Sequence, residues 1–271
     1  MMAACYRKPP APERLATGRC QDESPVERLL VIGHRGAAGL APENTLPGFG
    51  CAVGHGVDGV ELDVRVAGTE VVVIHDDRVD RTTNGTGLVS ELSFDELRRL
   101  DAGGGEPIPT LGEVLDAVPA HIMVNIELKG PGTAGAVAGL VRNRSTGPTH
   151  PDMPTLLVSS FDHRELRRFH ELRPRIACAP LAGRWSDCLE AAARAVDAWS
   201  VNLAHRAATP ANVAAVRSWG CRCLAYTVND PRRARMLFAS GVTGVFTDYP
   251  DRFVGEPASR FSSSASSRCS S

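Results

Sequence analysis

The chain has 271 residues, of which 43% are hydrophobic and 23% are charged, and its formal net charge is −1. This is the composition of an ordinary soluble globular protein, and it argues against a general nucleic-acid binder, which is usually basic. No apolar run approaches the length of a bilayer-spanning helix, and the amino terminus lacks the apolar core of a signal peptide. We therefore expect a cytoplasmic protein with no stable membrane insertion.

Composition divides the chain into three parts. Residues 1–27 are rich in proline and charge and show no period, which predicts a flexible arm, and the serine-rich residues 255–271 predict a disordered tail. Regular patterning begins at Leu29, so residues 28–254 are expected to form one domain. The eight cysteines show no CxxC and no zinc-ligand spacing, which favours reduced thiols.

The first elements are a short aliphatic strand, a Gly- and Pro-rich loop and a helix. The strand LLVIGH leads into HRGAAGLAPENT, and Thr45 can cap a helix that runs to about His55. Pro47 is tolerated in the first turn of this helix. Three glycines, Gly48, Gly50 and Gly54, make the helix intrinsically weak.

Two apolar runs between Val60 and Asp76 predict a hairpin. In the first run, Glu61 and Asp63 share one face of a strand, because successive strand side chains point to opposite faces. The second run ends at His75. Pairing about Gly68 would place His75 opposite Glu61 on the same face, whereas a slip of one residue would reverse this arrangement.

Residues 78–109 fit neither a strand nor a long helix. They contain the turn cluster RTTNGTG and a predicted short helix from Ser93 to Leu100, with Ser93 as its cap. A connection of this length inside a compact domain is usually functional. We predict a small insertion, following the strand that leads to His75, over one face of the fold.

After Thr110 strands and helices alternate, which predicts a parallel sheet covered on its faces. Nine strands are predicted in total, and removing the Glu70–Ile74 arm leaves the eight that close a (β/α)8 TIM barrel. An open doubly wound sheet is the alternative, although no GxGxxG or GxxxxGK[ST] loop supports it. Polar residues gather at the carboxyl ends of the strands, as in barrel enzymes, and include Ser159–Ser160, Asn202, Thr227–Asn229 and Thr247–Asp248.

The strand ends also carry a set of groups suited to phosphoryl transfer. Three acids could hold a divalent cation, two cations could bind a phosphate, two histidines could exchange protons, and one amide could contact a substrate oxygen. Each residue alone has a more ordinary interpretation, such as an ion pair or a capping histidine. Together at one end of a barrel they favour a site, and they are Glu61, Asp63 and Glu127; Arg35 and Lys129; His34 and His75; and Asn44.

Six motifs in order resemble the glycerophosphodiester phosphodiesterase family: VIGHRGAAGLAPENT, VELDV, VVVIHDDRVDRTTNGTG, NIELK, SSF and AYTVND. The resemblance spans about Leu29 to Pro250 and implies a TIM barrel that hydrolyses glycerophosphodiesters to sn-glycerol 3-phosphate and an alcohol through a cyclic phosphate. It implies Mg2+ or Ca2+ as cofactor. By position it implies His34 and His75 as the acid–base pair, Glu61, Asp63 and Glu127 as metal ligands, and Arg35, Asn44, Lys129 and Tyr226 as substrate-binding residues.

Two other functions remain open at this stage. The same groups could act on lysophospholipids as a lysophospholipase D, although no basic amphipathic helix supports membrane contact. A non-catalytic phosphodiester-binding barrel would be expected to lack a catalytic or metal position, and none of the matched positions is missing. The expected partner is a small glycerophosphodiester rather than a nucleic acid. The headgroup, the metal, the roles of the two histidines and the oligomeric state are not decided by the sequence.

Overall fold

The fold is a closed barrel of parallel strands surrounded by helices. The structure, a computed structural model, describes residues 29–143 and 153–253. The predicted arm (1–27) and serine-rich tail (255–271) lie outside the described residues. Within them, strand β1 pairs with both β9 and β2, which closes a ring of eight strands and confirms the TIM barrel over the open sheet.

The strands and helices alternate along the chain as predicted. The strands are β1 Leu30–Gly33, β2 Gly59–Ala67, β3 Glu70–Val73, β4 Met123–Leu128, β5 Leu156–Ser160, β6 Ala177–Ala182, β7 Ser200–Ala204, β8 Arg222–Tyr226 and β9 Gly244–Thr247. The helices are α1 Leu46–Gly54, α2 Phe94–Arg98, α3 Leu111–Ala117, α4 Thr133–Leu140, α5 His163–Leu172, α6 Leu189–Arg194, α7 Pro210–Ser218 and α8 Pro231–Ala239. None of the helices in this described part of the chain combines the length and apolar character needed to cross a membrane.

The hairpin of β2 and β3 forms, but the predicted register is wrong by one residue. Ala67 pairs with Glu70 and Val64 with Val73, so the turn contains two residues, Gly68 and Thr69. A pairing centred on Gly68 would leave one residue to reverse the chain, whereas two-residue turns match the twist of paired strands. His75 therefore does not lie opposite Glu61; it follows the end of β3.

Three apolar clusters stabilise the fold. The largest lies between the barrel wall and the surrounding helices, and a smaller one that includes Ile32, Leu157 and Phe246 fills the barrel interior. The third joins the hairpin to the insertion through residues such as Val72, Val89 and Leu97. The insertion after β3 is thus packed on its own small core.

Side-chain caps begin the helix that follows the first loop and the helix inside the insertion. Thr45 accepts a hydrogen bond from Gly48 N at the start of α1, and Ser93 and Glu96 form a capping box at α2. Both caps were predicted from sequence. Such caps satisfy backbone donors that have no partner inside the helix.

Candidate active site

The carboxyl ends of the barrel strands surround a cavity of about 270 Å3. Its walls combine acids, cations, histidines and aromatic rings from six of the eight barrel strands or the loops after them. The lining residues are His34, Arg35, Glu61, His75, Asn125, Glu127, Lys129, Phe161, Leu181, Tyr226, Thr227 and Phe246. Seven of the nine residues predicted for the site therefore line one cavity; the other two are Asp63, which lies within 4.8 Å of Glu61 and Glu127, and Asn44, which donates to Asp63.

Parallel pairing of β2 with β4 brings three acids together. The register sets Asp63 beside Glu127 and Glu61 beside Asn125. One oxygen from each of Glu61, Asp63 and Glu127 lies within 4.8 Å of the others.

Oε1 of the buried Glu61 accepts no hydrogen bond from any described residue. Burial and the charge of Asp63 raise the pKa of Glu61 to about 8 and also raise the pKa of Glu127. A bound divalent cation would reduce repulsion of this kind between carboxylates.

The loop after β1 is held directly on Glu61. Arg35 N donates to Glu61 Oε2 at 2.9 Å, and Gly36 N donates to the carbonyl oxygen of Glu61 at 3.2 Å. Arg35 has a φ of +50°, an uncommon value for a residue with a side chain. The strained loop thereby places His34 and Arg35 at the acidic cluster.

Two cations balance the charge of the acids. The guanidinium of Arg35 lies 3.3 Å from Asp63 and donates to Glu43 at 2.8 Å. Lys129 Nζ lies 2.9 Å from Glu127 and 3.6 Å from Asp63. Because both cations also line the cavity, they can face a phosphate bound there.

His34 is oriented by an acid from the end of β9. Its Nδ1 lies 2.6 Å from Asp248 Oδ1, and Asn229 donates to the other oxygen of Asp248 at 2.7 Å. Burial lowers the pKa of His34, but the hydrogen bond to Asp248 and the charge of Glu61 outweigh burial, so the pKa is raised overall. His34 is therefore suited to carry a proton near neutral pH.

His75 has a contrasting environment. Its Nδ1 lies 2.6 Å from Asp76 Oδ1, and its Nε2 lies 3.0 Å from Lys129 Nζ. Burial, reinforced by the positive charges of Arg35 and Lys129, lowers the pKa of His75 below its usual value. The ring is therefore suited to be neutral, with Nδ1 protonated toward Asp76 and with Nε2 as the acceptor nitrogen, which faces Lys129 Nζ.

The remaining two predicted residues have different positions. Asn44 is buried with a φ of +58°, and its amide donates to Asp63 Oδ2 at 3.0 Å while its oxygen accepts from Asp63 N at 3.3 Å. Its contact with a substrate oxygen stays a prediction. Tyr226 lines the cavity and meets Phe161 edge to face, with ring centroids 5.9 Å apart.

The sequence did not identify the residues that hold the site in shape. Asp248 and Asn229 stood among the polar strand ends, and Phe161 within the SSF motif, but nothing assigned them partners. Asp76, which follows His75 directly, was a visible signal for a histidine–carboxylate pair. The pairing of Glu43 with Arg35 joins residues of one loop, and no sequence periodicity signals such a contact.

Comparison with known proteins agrees with this geometry. The sequence model of the glycerophosphoryl diester phosphodiesterase family matches residues 34–252. YhdW of Bacillus subtilis is 40% identical over 83% of this chain and 97% of its own length. A glycerophosphodiester phosphodiesterase of the same organism is 32% identical over 84% of this chain and 86% of its own.

Solved structures show the same likeness. A phosphodiesterase of Oleispira antarctica, in complex with the product sn-glycerol-3-phosphate, superposes with a TM-score of 0.76 at 32% identity, over 83% of this chain and 95% of that one. A glycerophosphodiester phosphodiesterase of Agrobacterium tumefaciens gives a TM-score of 0.70 at 30% identity, over 83% of this chain and 98% of that one.

Proposed function

Since this chain belongs to the glycerophosphoryl diester phosphodiesterase family and is a phosphodiesterase of that class, we propose that it is a divalent-cation-dependent enzyme that uses two histidines to hydrolyse glycerophosphodiesters to sn-glycerol 3-phosphate and an alcohol. One observation carries the proposal: two acids, two cations and two histidines line a single cavity, and a third acid, Asp63, lies within 4.8 Å of both of those acids. The product-bound Oleispira antarctica relative supports glycerol 3-phosphate as the product.

The acidic cluster fits a hard divalent cation such as Mg2+ or Ca2+. Its three ligands are carboxylates, which these ions prefer, and the unpaired Glu61 Oε1 is a buried acceptor that an ion would satisfy. Glu61, Asp63 and Glu127 would hold the ion, and Asn44 fixes the orientation of Asp63 through two hydrogen bonds. When bound, the ion would neutralise phosphate charge and acidify a nearby hydroxyl.

Arg35 and Lys129 would bind the phosphodiester. Phosphoryl transfer develops charge on the phosphate oxygens, and preorganised cations in a partly closed cavity stabilise that charge. Both side chains are already held by carboxylates, at 2.8 Å for Arg35 and 2.9 Å for Lys129. Their positions are therefore set before substrate arrives, which limits the entropy lost on binding.

The two histidines would divide the first step between them. His75, with its lowered pKa, removes the proton from the glycerol hydroxyl vicinal to the phosphodiester, and that oxygen attacks phosphorus. His34, with its raised pKa, donates its proton to the oxygen of the leaving alcohol as the phosphorus–oxygen bond breaks. The products of this step are the free alcohol and a cyclic glycerol phosphate.

The second step would reverse these roles. His34, now neutral, takes a proton from water, whose oxygen attacks phosphorus, and protonated His75 returns its proton to the glycerol oxygen that leaves. The ring opens to sn-glycerol 3-phosphate, and both histidines regain their starting states. Phe161 and Tyr226 would supply an apolar wall for the substrate beside these groups.

The proposal is tested by following glycerol 3-phosphate release with a coupled dehydrogenase. We expect turnover of glycerophosphocholine or glycerophosphoethanolamine with Mg2+ or Ca2+, its loss on chelation, and its recovery when the ion is restored. His34→Ala and His75→Ala should each lower kcat by at least about 100-fold, the usual contribution of an acid–base group. Folded protein that releases no product from any headgroup, or a histidine variant with wild-type turnover, would contradict the proposal.

Lysophosphatidylcholine in the same assay tests the alternative substrate class. A lysophospholipase D would turn over this lipid faster than glycerophosphocholine. We expect the reverse, because the cavity of about 270 Å3 is lined by charged residues and histidines as well as three aromatic rings, which suits a small polar substrate better than an acyl chain.

A further inference from the structure

Arg81 joins two residues that hold the reacting groups, although it lies in the insertion outside the cavity. Its Nε donates to Asp76 Oδ2 at 2.6 Å, and its Nη2 donates to Asp76 Oδ1 at 3.2 Å. On the other side, Nη1 and Nη2 donate to the two oxygens of Glu43, each at 2.8 Å. One guanidinium thus binds two carboxylates, each through both oxygens.

Each of these carboxylates is hydrogen-bonded to a residue that lines the cavity. Asp76 lies 2.6 Å from Nδ1 of His75, and Glu43 accepts from Arg35 at 2.8 Å. The five side chains form one continuous series of hydrogen bonds from His75 to Arg35. The hydrogen bond from Arg81 lowers the pKa of Asp76, so the carboxylate beside His75 stays ionised.

We propose that Arg81 is a positioning residue for this reaction, which bridges Asp76 and Glu43 so that His75 and Arg35 are held in their working orientations. The inference rests on the proposed function, since it gives His75 its role in proton transfer. It also assigns a task to the insertion, which contributes Arg81 to the site from outside the barrel. A carboxylate that holds a histidine by Nδ1 fixes both its tautomer and its ring orientation, and small displacements of such groups reduce rates strongly.

The chemistry of arginine suits this bridge, and lysine could not replace it. The guanidinium presents five donors in a rigid planar fork, whereas an ammonium is a point charge on a flexible stem. The side chain of Arg81 is 48% exposed, while Glu43 and Asp76 are 19% and 27% exposed, so this solvent-screened bridge contributes a modest part of the free energy of unfolding. Removal of the bridge should therefore reduce turnover without unfolding the protein.

The test compares Arg81→Ala and Arg81→Lys with Arg78→Ala. Arg78 is a matched control, because it lies in the same segment, is 52% exposed and forms an ion pair with Asp80, which does not line the cavity. We expect kcat of Arg81→Ala to fall at least about 10-fold, with a smaller change in KM, since the loosened His75 acts in the chemical step. The thermal midpoint should stay within about 3 °C of wild type, and Arg78→Ala should keep wild-type kcat.

Two further readouts separate positioning from folding. Guanidinium ion at fixed ionic strength should restore part of the kcat of Arg81→Ala and should leave Arg78→Ala unchanged. If Arg81→Ala loses stability together with kcat, Arg81→Lys decides: recovery of the thermal midpoint without recovery of kcat supports the bridge, and full recovery of both overturns it.

Other results would also overturn the proposal. These are an Arg81→Ala variant with kcat within about threefold of wild type, or an equal loss of kcat in Arg78→Ala. Absence of turnover in the wild-type protein itself is a different result, and it contradicts the proposed function rather than the bridge.

Discussion

Glu61 links the loop after β1 to the acidic cluster. Its side chain accepts from Arg35 N through one oxygen, while the other oxygen has no partner within the described residues. A buried carboxylate beside Asp63 and Glu127 is costly without a counter-charge, and this cost raises its pKa to about 8 from an ordinary 4.5. The same group that would bind the cation therefore destabilises the protein when the cation is absent.

This conflict predicts a pH-dependent response to the metal. In the metal-free protein the free energy of unfolding should fall as pH rises from about 4.5 toward about 8, because the unfolded chain releases a proton that folded Glu61 retains. A divalent cation at the proposed site would bind the ionised form and relieve that loss. We expect Mg2+ or Ca2+ to raise the thermal midpoint more at about pH 8 than at about pH 5.5, as measured by thermal unfolding with and without chelator.

Glu61→Gln is the control for this prediction. The amide keeps the volume of the side chain and can still accept from Arg35 N, but it carries no charge. The variant should lose most of the metal-induced shift, and its metal-free stability should depend less on pH than that of wild type. A shift of equal size at both pH values, or an undiminished shift in Glu61→Gln, would contradict the assignment of Glu61 as a ligand.

At the scale of elements, strand β2 organises the site. One of its edges pairs with β4, and the other edge pairs with β1 near its start and with β3 near its end. Gly59 and Val60 pair with β1, and Val64 to Ala67 pair with β3. The backbone between them is free to receive loops, so Gly36 N binds the carbonyl oxygen of Glu61 and Ile74 N binds that of Asp63. The loop carrying His34 and the segment carrying His75 are thus both hydrogen-bonded to the backbone of the acidic strand.

The sequence predicted this region in part. Alternation of apolar and acidic residues identified β2 and its inward carboxylates, since a period of two is visible in one strand. The register with β3 was wrong because apolar residues fill every position from Val71 to Ile74, so no polar face marks the correct alignment. Bridges such as that of Arg81 to Glu43, 38 positions apart in the chain, depend on tertiary placement, which no local pattern records.

Of the three glycines that make helix α1 weak by propensity, Gly48 is explained by close packing. A Cβ on Gly48 would lie 2.6 Å from the carbonyl oxygen of Pro42, and one on Gly36 would lie 2.6 Å from the backbone of Gly48. The loop that carries His34 and Arg35 therefore rests directly on the helix backbone. Gly50 differs, because nothing lies within 4 Å of its added Cβ.

These contacts predict opposite effects for two Gly→Ala substitutions in one helix. Gly48→Ala should lower both the thermal midpoint and kcat, because the loop must move away from the new methyl group. Gly50→Ala should stabilise the protein by about 0.5–1 kcal/mol through the better helix propensity of alanine, with kcat unchanged. Denaturant unfolding and steady-state kinetics measure both, and wild-type activity in a folded Gly48→Ala protein would disprove the packing argument.

On the scale of the whole molecule, the predicted active-site residues and the apolar core that stabilises the fold occupy different parts of the barrel. The predicted active-site residues lie at the carboxyl ends of the strands, while the largest apolar cluster lies between the strands and the helices. This division is general in (β/α)8 barrels, and it is why polar residues at the strand ends predicted the face on which a site is expected. The hydrophobic periods also predicted the architecture, because each helix and each strand must bury its apolar side against a neighbouring element.

Two phenylalanines eight positions apart test this separation. Phe161 follows β5, is 48% exposed and stands at the cavity beside Tyr226, whereas Phe169 on α5 is fully buried in the core. Phe161→Ala should raise KM about 2- to 10-fold, the worth of one aromatic contact, without changing the thermal midpoint. Phe169→Ala should cost about 3–5 kcal/mol of stability and lower the thermal midpoint by about 10 °C, while kcat measured well below that midpoint stays at the wild-type value. Two results would contradict this division of catalysis and stability between the two sides of the barrel wall. One is a folded Phe169→Ala protein that has lost turnover. The other is a Phe161→Ala protein that has lost stability instead of substrate affinity.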